Sequence, residues 1–221
     1  RHICFSRRDE HEWDYKSPIE NMKTGGVYAP KLLHDLSRRV DRSAIITCDV
    51  GQHQMWVAQH CYFDNPKDHI TSGGLGTMGF GLPAGLGAKL GAPNRTVITV
   101  SGDGSIMMNI QELATLFRYD IPLKIVLLDN SALGMVRQWQ EVFFEKNYSE
   151  VNLDDNPDFA MVAKAFQIDA FTITKGDEVD DGIERLLSAT GPILMHVKID
   201  TYENVWPLVP PGRSNADMME R

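Results

Sequence analysis

One stretch limits the fold more than any other: residues 96–130, TVITVSGDGSIMMNIQELATLFRYDIPLKIVLLDN. A β-branched run at 97–100 ends abruptly at Gly102-Asp103-Gly104. A helical pattern follows, with Met108, Leu113, Leu116 and Phe117 as its apolar side. A second apolar run at 123–128 ends just as abruptly at Asp129-Asn130. Strand, helix and strand in that order form the building unit of a parallel sheet. The crossover has one preferred hand, so both strands end on one edge and Asp103 and Asn130 arrive close together. That edge is where open α/β sheets bind ligands.

Charge decides what the two ends could hold. Gly102 and Gly104 leave backbone room, and a helix start there offers free N–H groups to an anion. Asp103 is itself an anion, and a carboxylate about 4 Å from a phosphate repels it by roughly 4 kcal/mol at an effective dielectric of 20. A hard divalent cation between them reverses the sign. One carboxylate, one amide oxygen and phosphate oxygens suit Mg²⁺, which seldom receives a full protein cage. The stretch therefore predicts a Mg²⁺-diphosphate site at a strand–helix junction.

The rest of the chain fits that reading and excludes others. Its 221 residues suit one α/β domain with tails. A net charge of −8 without any Lys/Arg block argues against nucleic acid. Cys4, Cys48 and Cys61 form no CxxC, and the seven histidines form no HExxH, so a disulfide framework or a zinc site is not indicated. A reducing, cytoplasmic setting is expected. Residues 70–88 carry no charge and are long enough for a membrane span, but seven of the nineteen are glycine and Pro83 interrupts them, so no membrane segment is expected.

Taken in order, residues 1–23 read as a linker from something upstream, 24–200 as the domain and 201–221 as a tail. A helix with Pro30 in its first turn carries Leu32, Leu33, Leu36 and Val40. A short strand at 44–48 ends in Asp49-Val50-Gly51-Gln52-His53, a second polar cluster for the ligand edge or else a solvated loop. A strand at 69–72 leads into a helix crowded with small residues, where Gly81, Gly85 and Ala88 permit close approach. Gly74-Leu-Gly76-Thr-Met-Gly79 is a formal GxGxxG, and Asp103 follows at a distance a dinucleotide site would use, so that alternative stays open. Leu133, Val136, Trp139, Gln140 and Phe143 share one side of a helix from Gly134; the default is core, with Met135 and Trp139 as pocket walls. Asn156 as cap and Pro157 at the first position predict a helix to Phe166. A strand at 170–174, a helix capped by Asp177, and a strand at 193–199 complete six strands, with His196 expected as a core or edge residue. The architecture implied is a doubly wound, six-stranded parallel sheet with helices on both faces. The proline-rich segment 205–213 must cross the surface.

Gly-Asp-Gly followed some two dozen residues later by Asp-Asn resembles the thiamine diphosphate fingerprint. DVGQHQMW at 49–56, GLGTMGFGLPAG at 74–85, LLDNSALGMVRQWQ at 127–140 and ENVWPLVPPG at 203–212 narrow the resemblance. They are similar to acetolactate synthase, also called acetohydroxyacid synthase, in its large catalytic subunit of the bacterial isozyme II type. The similarity runs from about residue 26 to the end. It implies Mg²⁺ ligation by Asp103, Asn130 and the Ala132 carbonyl. It implies diphosphate contacts from Gly104, Ser105, Gln52 and His53, with Gly102 also at the cofactor, and support of a bent cofactor by Met78. Gly76, Gly134, Met135 and Val136 would line the rest of the cofactor site, and Trp139 would shape the pocket for the second substrate. Asp129 stands where many thiamine enzymes have asparagine; the isozyme II pattern that the chain resembles has aspartate there too.

The activity implied is condensation of pyruvate with pyruvate or 2-oxobutanoate, with loss of carbon dioxide, on the route to branched-chain amino acids. Members of this family are much longer. They carry an activating glutamate in a pyrimidine-binding domain, bind FAD in a middle domain, form sites between subunits of at least a dimer, and can take a small regulatory subunit. No residue of this chain aligns with that glutamate, so the expectation is a carboxyl-terminal fragment, inactive alone. Another thiamine-dependent decarboxylase or oxidase of 2-oxo acids, or a non-catalytic dinucleotide module, are the alternatives.

Overall fold

The computed structural model describes residues 26–220, so the reading of 1–23 as a linker lies outside the described residues. Strands β1 (Ile45–Cys48), β2 (His69–Thr71), β3 (Val97–Gly102), β4 (Lys124–Asp129), β5 (Asp169–Ile173) and β6 (Ile193–Lys198) form one sheet. Their order is β2-β1-β3-β4-β6-β5 and every pairing is parallel. The middle strands VITVSG and KIVLLD are buried along their whole length, as continuous apolar runs in a doubly covered sheet must be. Alternate residues serve opposite faces. Val126 and Leu128 join a core with helices α1 (Ala29–Arg39), α2 (Gln52–His60) and α8 (Val179–Ser188). Ile125 and Leu127 join a second core with α3 (Gly81–Gly91), α5 (Glu112–Arg118) and α7 (Phe159–Ala165). This is the doubly wound α/β sheet the sequence predicts.

Topology sets the place of the site. From β1 the chain goes outward to β2, then returns to build β3 and β4 on the other side of β1. The crevice between the ends of β1 and β3 is therefore a switch point, where two loops part and leave room for a ligand. Gly102 pairs with Leu128, which brings the ends of β3 and β4 level.

Several local expectations are corrected. The helix after β3 comes in two pieces, α4 (Asp103–Ile106) and α5, so Leu113 and Leu116 are buried while Met108 and Phe117 lie outside. Asn156 does not cap α7; Asp158 does, its carboxylate accepting from the Met161 N–H. Nor does Asp177 cap α8: Glu178 reaches back to the amides of Thr174 and Lys175. Helix α6 (Gly134–Phe143) departs most from expectation, because Val136, Trp139 and Phe143 are exposed while Arg137 and Gln138 are buried.

The carboxyl-terminal segment explains that inversion. The Gln138 side chain donates to the Val205 carbonyl and accepts from the Val205 N–H, each at 2.9 Å. Arg137 donates to the Asn204 side chain at 2.5 Å and to Glu141 at 2.6 Å. The buried Gln138 amide and Arg137 guanidinium find partners on the segment 203–205 and on Glu141, so these polar residues face inward. Val205 and Leu208 are buried, so the tail does more than cross the surface.

Candidate functional site

Three strand ends converge on a cleft of about 340 Å³. After β1, the turn at Gly51 sends Gln52 and His53 into it; after β3 come Gly102, Asp103, Gly104 and Ser105; after β4 come Asn130 and Ala132. Gly76 and Met78 close one side, and Gly134, Met135 and Val136 another. All twelve residues expected to contact a cofactor, and the carbonyl-bearing Ala132, thus line one cavity. Trp139 does not; it sits one turn further along α6, 39% exposed and edge-on to Phe143.

The walls are mostly apolar, with Met55, Leu128, Leu133 and Ile199 among them, and among the described residues Asp103 is their one carboxylate and no lysine or arginine lines the cleft. His53 brings no charge at neutral pH: burial lowers its pKa to about 4, against the opposing pull of Asp49. Its Nε2 is buried and has no hydrogen-bond partner among the described residues. Helices α2 and α6 both start at the cleft without a side-chain cap. Their first N–H groups carry partial positive charge and lack intrahelical acceptors.

The β4 turn is built to present oxygen atoms. Ser131 takes a left-handed backbone (φ 53), strained for a residue with a side chain by about 1 kcal/mol or more. Local bonds hold it: the Ser131 N–H donates to Asp129 at 2.9 Å and the Ala132 N–H to the Asn130 side-chain oxygen at 3.2 Å. Leu133 and Leu153 donate to Val151 and Ser131 around the Ala132–Asn152 bridge. That register directs the Ala132 N–H and carbonyl away from Asn152. Asn130 in turn donates to Gln52 at 3.2 Å, and Gln52 to Gln138 at 3.0 Å. Gly134 leaves room where these meet: a Cβ there would lie 2.1 Å from the Gln52 side-chain oxygen and displace that amide.

Asp103 is nearly buried, accepting from its neighbour Gly104 N–H at 3.0 Å and from the Asn156 amide at 2.9 Å. Burial, then the negative charge of Asp129, push its pKa up to about 7. A divalent cation would relieve both penalties. Among the described residues no group of three or more His, Cys, Asp or Glu could cage a metal unaided. One carboxylate, one amide oxygen and a carbonyl therefore fit a cation that takes its remaining ligands from a diphosphate.

The room beside Gly102 and Gly104 is used by the protein rather than kept for a ligand. A Cβ on Gly102 would strike the His53 ring at 2.9 Å, and one on Gly104 the Leu133 side chain at 2.8 Å. Gly85 and Gly81 likewise press α3 onto the sheet. Asp49 anchors that side, accepting from the N–H groups of Gly79 (2.8 Å) and Gly81 (3.0 Å). The formal GxGxxG is thus fastened to a carboxylate at the end of β1.

Asn156 is the site residue that sequence reasoning missed, because Asn-Pro imitates a helix start. Replacing it with alanine frees Asp103 of a charge-assisted hydrogen bond. Mg²⁺-dependent cofactor binding is then expected to weaken by roughly tenfold, read by calorimetry, with the fold intact. Unchanged affinity would remove Asn156 from the site.

Comparison with known proteins gives one consistent picture. Residues 49–197 match the family model of the thiamine pyrophosphate enzyme C-terminal TPP binding domain. The acetolactate synthase isozyme 2 large subunit of Escherichia coli (strain K12) is 56% identical over 99% of this chain and 39% of its own length. The acetolactate synthase large subunit of Parasynechococcus marenigrum (strain WH8102) is 42% identical over 94% of this chain and 34% of its own. The chain thus spans well under half the length of these relatives. A thiamine diphosphate-dependent 4-hydroxybenzoylformate decarboxylase of Rhodococcus jostii RHA1 superposes with a TM-score of 0.74 over 81% of this chain and 34% of that one. At 23% identity, that likeness speaks to the fold alone.

Proposed function

We infer the function from one premise: this chain belongs to the thiamine pyrophosphate enzymes, and carries their C-terminal cofactor-binding domain. The reading is that the cleft holds thiamine diphosphate through Mg²⁺, as part of an acetolactate synthase large subunit. Asp103, Asn130 and the Ala132 carbonyl would hold the metal. Gln52, His53, Gly102, Gly104 and Ser105 would hold the diphosphate, with Gly76, Met78, Gly134, Met135 and Val136 around the rest of the cofactor. Charge carries this assignment: a cleft with two uncapped helix starts invites an anion, yet its only charged wall group among the described residues is Asp103. A divalent cation reconciles the two.

When bound, the cofactor supplies the electron sink that lets one 2-oxo acid lose carbon dioxide and its remainder join a second. The protein's own part is placement and exclusion of water. Neutral His53 can share a proton with a phosphate oxygen through its unpartnered Nε2 without adding net charge. The apolar walls Met78, Leu133, Met135 and Val136 lower the local dielectric around the reacting centre. The substrates proposed are pyruvate with pyruvate or 2-oxobutanoate, with Trp139 at the rim as a candidate for acceptor choice. FAD, a second copy of the chain and a small regulatory subunit belong to the same proposal, as does a cytoplasmic setting. No described helix is long and apolar enough to cross a membrane, and Cys48 and Cys61 are free thiols.

Calorimetry with the 221-residue chain tests the reading. Thiamine diphosphate is expected to bind weakly and only with Mg²⁺, while NAD without metal gives no heat. Metal-free NAD binding, or thiamine diphosphate binding indifferent to Mg²⁺, would overturn it.

A further inference from the structure

Beside Asp103 lies a second buried carboxylate that the cofactor reading leaves without a role. Asp129 ends β4, its side chain fully shielded from solvent. One oxygen accepts from His196 Nε2 at 2.8 Å and from Lys198 Nζ at 2.5 Å; the other accepts from the Ser131 N–H at 2.9 Å. His196 and Lys198 stand two apart at the end of β6, the strand paired with β4, so both side chains reach the same face. The Thr172 hydroxyl lies 3.3 Å from His196 Nδ1. The Asp129 carboxylate can only accept, so His196 Nε2 is the donor to it. Lys198 supplies the ammonium charge opposite Asp129.

The electrostatic balance at the strand ends follows. Asp103 and Asp129 are neighbours, each desolvated, and Lys198 cancels one of them. The net charge is that of a single carboxylate, which suits a divalent cation shared with a diphosphate. Without Lys198 the same corner would carry two negative charges. A bare cation would gain from that, and a diphosphate would be repelled.

We propose that Lys198 is a positioning residue for the metal–diphosphate pair: by cancelling Asp129 it makes binding of the metal depend on the diphosphate. This rests on the cofactor reading above, and extends it to a residue outside the cleft. The Lys198 side chain is 43% exposed, so its replacement leaves the core untouched.

The test uses the whole chain at low ionic strength, where exposed charge is least screened. Two affinities are measured: Mn²⁺ alone, by electron paramagnetic resonance, and thiamine diphosphate at saturating Mg²⁺, by calorimetry. Lys198→Met is expected to move them in opposite directions, Mn²⁺ tighter by about threefold and thiamine diphosphate weaker by about tenfold, a change of roughly 1.4 kcal/mol. Lys198→Arg, and the double variant K198M/D129N that restores the charge, are expected to return both toward wild type. A merely structural role would weaken both together and would not be rescued by D129N; that result, or no change in K198M, overturns the proposal. A wild-type chain that binds no thiamine diphosphate with Mg²⁺ overturns the cofactor reading and this inference with it.

Discussion

Asp103→Ala is expected to abolish Mg²⁺-dependent binding of thiamine diphosphate, weakening it by a hundredfold or more. Among the described residues the carboxylate is the one charged group in the cleft wall, and under the proposed assignment it would meet the metal in a setting where burial has removed water. Losing one partner of a buried charge pair costs about 3–5 kcal/mol, more than two decades in affinity. The pH dependence distinguishes a ligand from a strut. In the metal-free chain the Asp103 pKa is about 7, against an ordinary value of 3.8. Below about pH 7 a metal must therefore displace a proton, and affinity is expected to rise about tenfold per unit up to that point and then level off. Asp103→Asn removes this slope and leaves only that of the cofactor's own phosphates.

The same raised pKa makes a stability statement with a definite sign. Between pH 3.8 and about 7 the folded chain keeps a proton that the unfolded chain has released. The metal-free protein is thus stabilised at acid pH and loses that contribution as pH rises through about 7. Asp129 behaves oppositely: although burial opposes it, hydrogen bonds from His196 and Lys198 hold its carboxyl below the ordinary range. Its contribution is present above 3.8 and lost only as pH falls below that value. Melting curves of metal-free wild type and Asp103→Asn should lie together near pH 4, where both side chains are neutral, and separate toward pH 8, where wild type alone carries the buried charge and melts lower. Parallel curves would mean that Asp103 titrates normally.

What the sequence revealed and what it hid divide along physical lines. Strand ends were legible because β-branched runs stop at polar clusters, and a parallel sheet forces those stops onto one edge. Hence Asp103 and Asn130 could be grouped from the sequence alone, while the cluster at Asp49 could equally have been a solvated loop. Helix faces were less legible where a non-local partner set the polarity. Nothing local in GMVRQWQEVF says that Arg137 and Gln138 face inward; their partners Asn204, Glu203 and Val205 lie more than sixty residues away. Asn156 was hidden by its own context, since Asn-Pro is a good helix start and its true partner is fifty-three residues back. Lys198 gave no signal, because a lysine at the end of a strand is usually solvated.

Glycine in α3 gives the largest expected effect on stability, and two positions on that helix should respond with opposite signs. A Cβ at Gly85 would lie 2.0 Å from Thr99 Oγ1, 2.9 Å from Thr47 Oγ1 and 3.2 Å from Leu123. The two threonines cannot simply turn aside: they bond each other at 2.8 Å, Thr47 also donates to the Gly81 carbonyl, and both are β-branched and fully buried. Gly85→Ala must either break that pair or lift the helix off β1 and β3. The cost is about 3 kcal/mol, only partly offset by the roughly 1 kcal/mol that alanine adds to a helix. For a chain of this size, the net loss lowers Tm by roughly 5 °C. Gly87, two residues on, meets nothing within 4 Å, so Gly87→Ala is expected to raise Tm slightly through helix propensity alone. The damage at Gly85 should also reach the cofactor. The first N–H of α3 holds the Asp49 carboxylate, and Asp49 begins the turn that sends Gln52 and His53 into the cleft. A Gly85→Ala protein that melts like wild type and binds thiamine diphosphate as well would show that α3 can retreat from the sheet without moving β1's end.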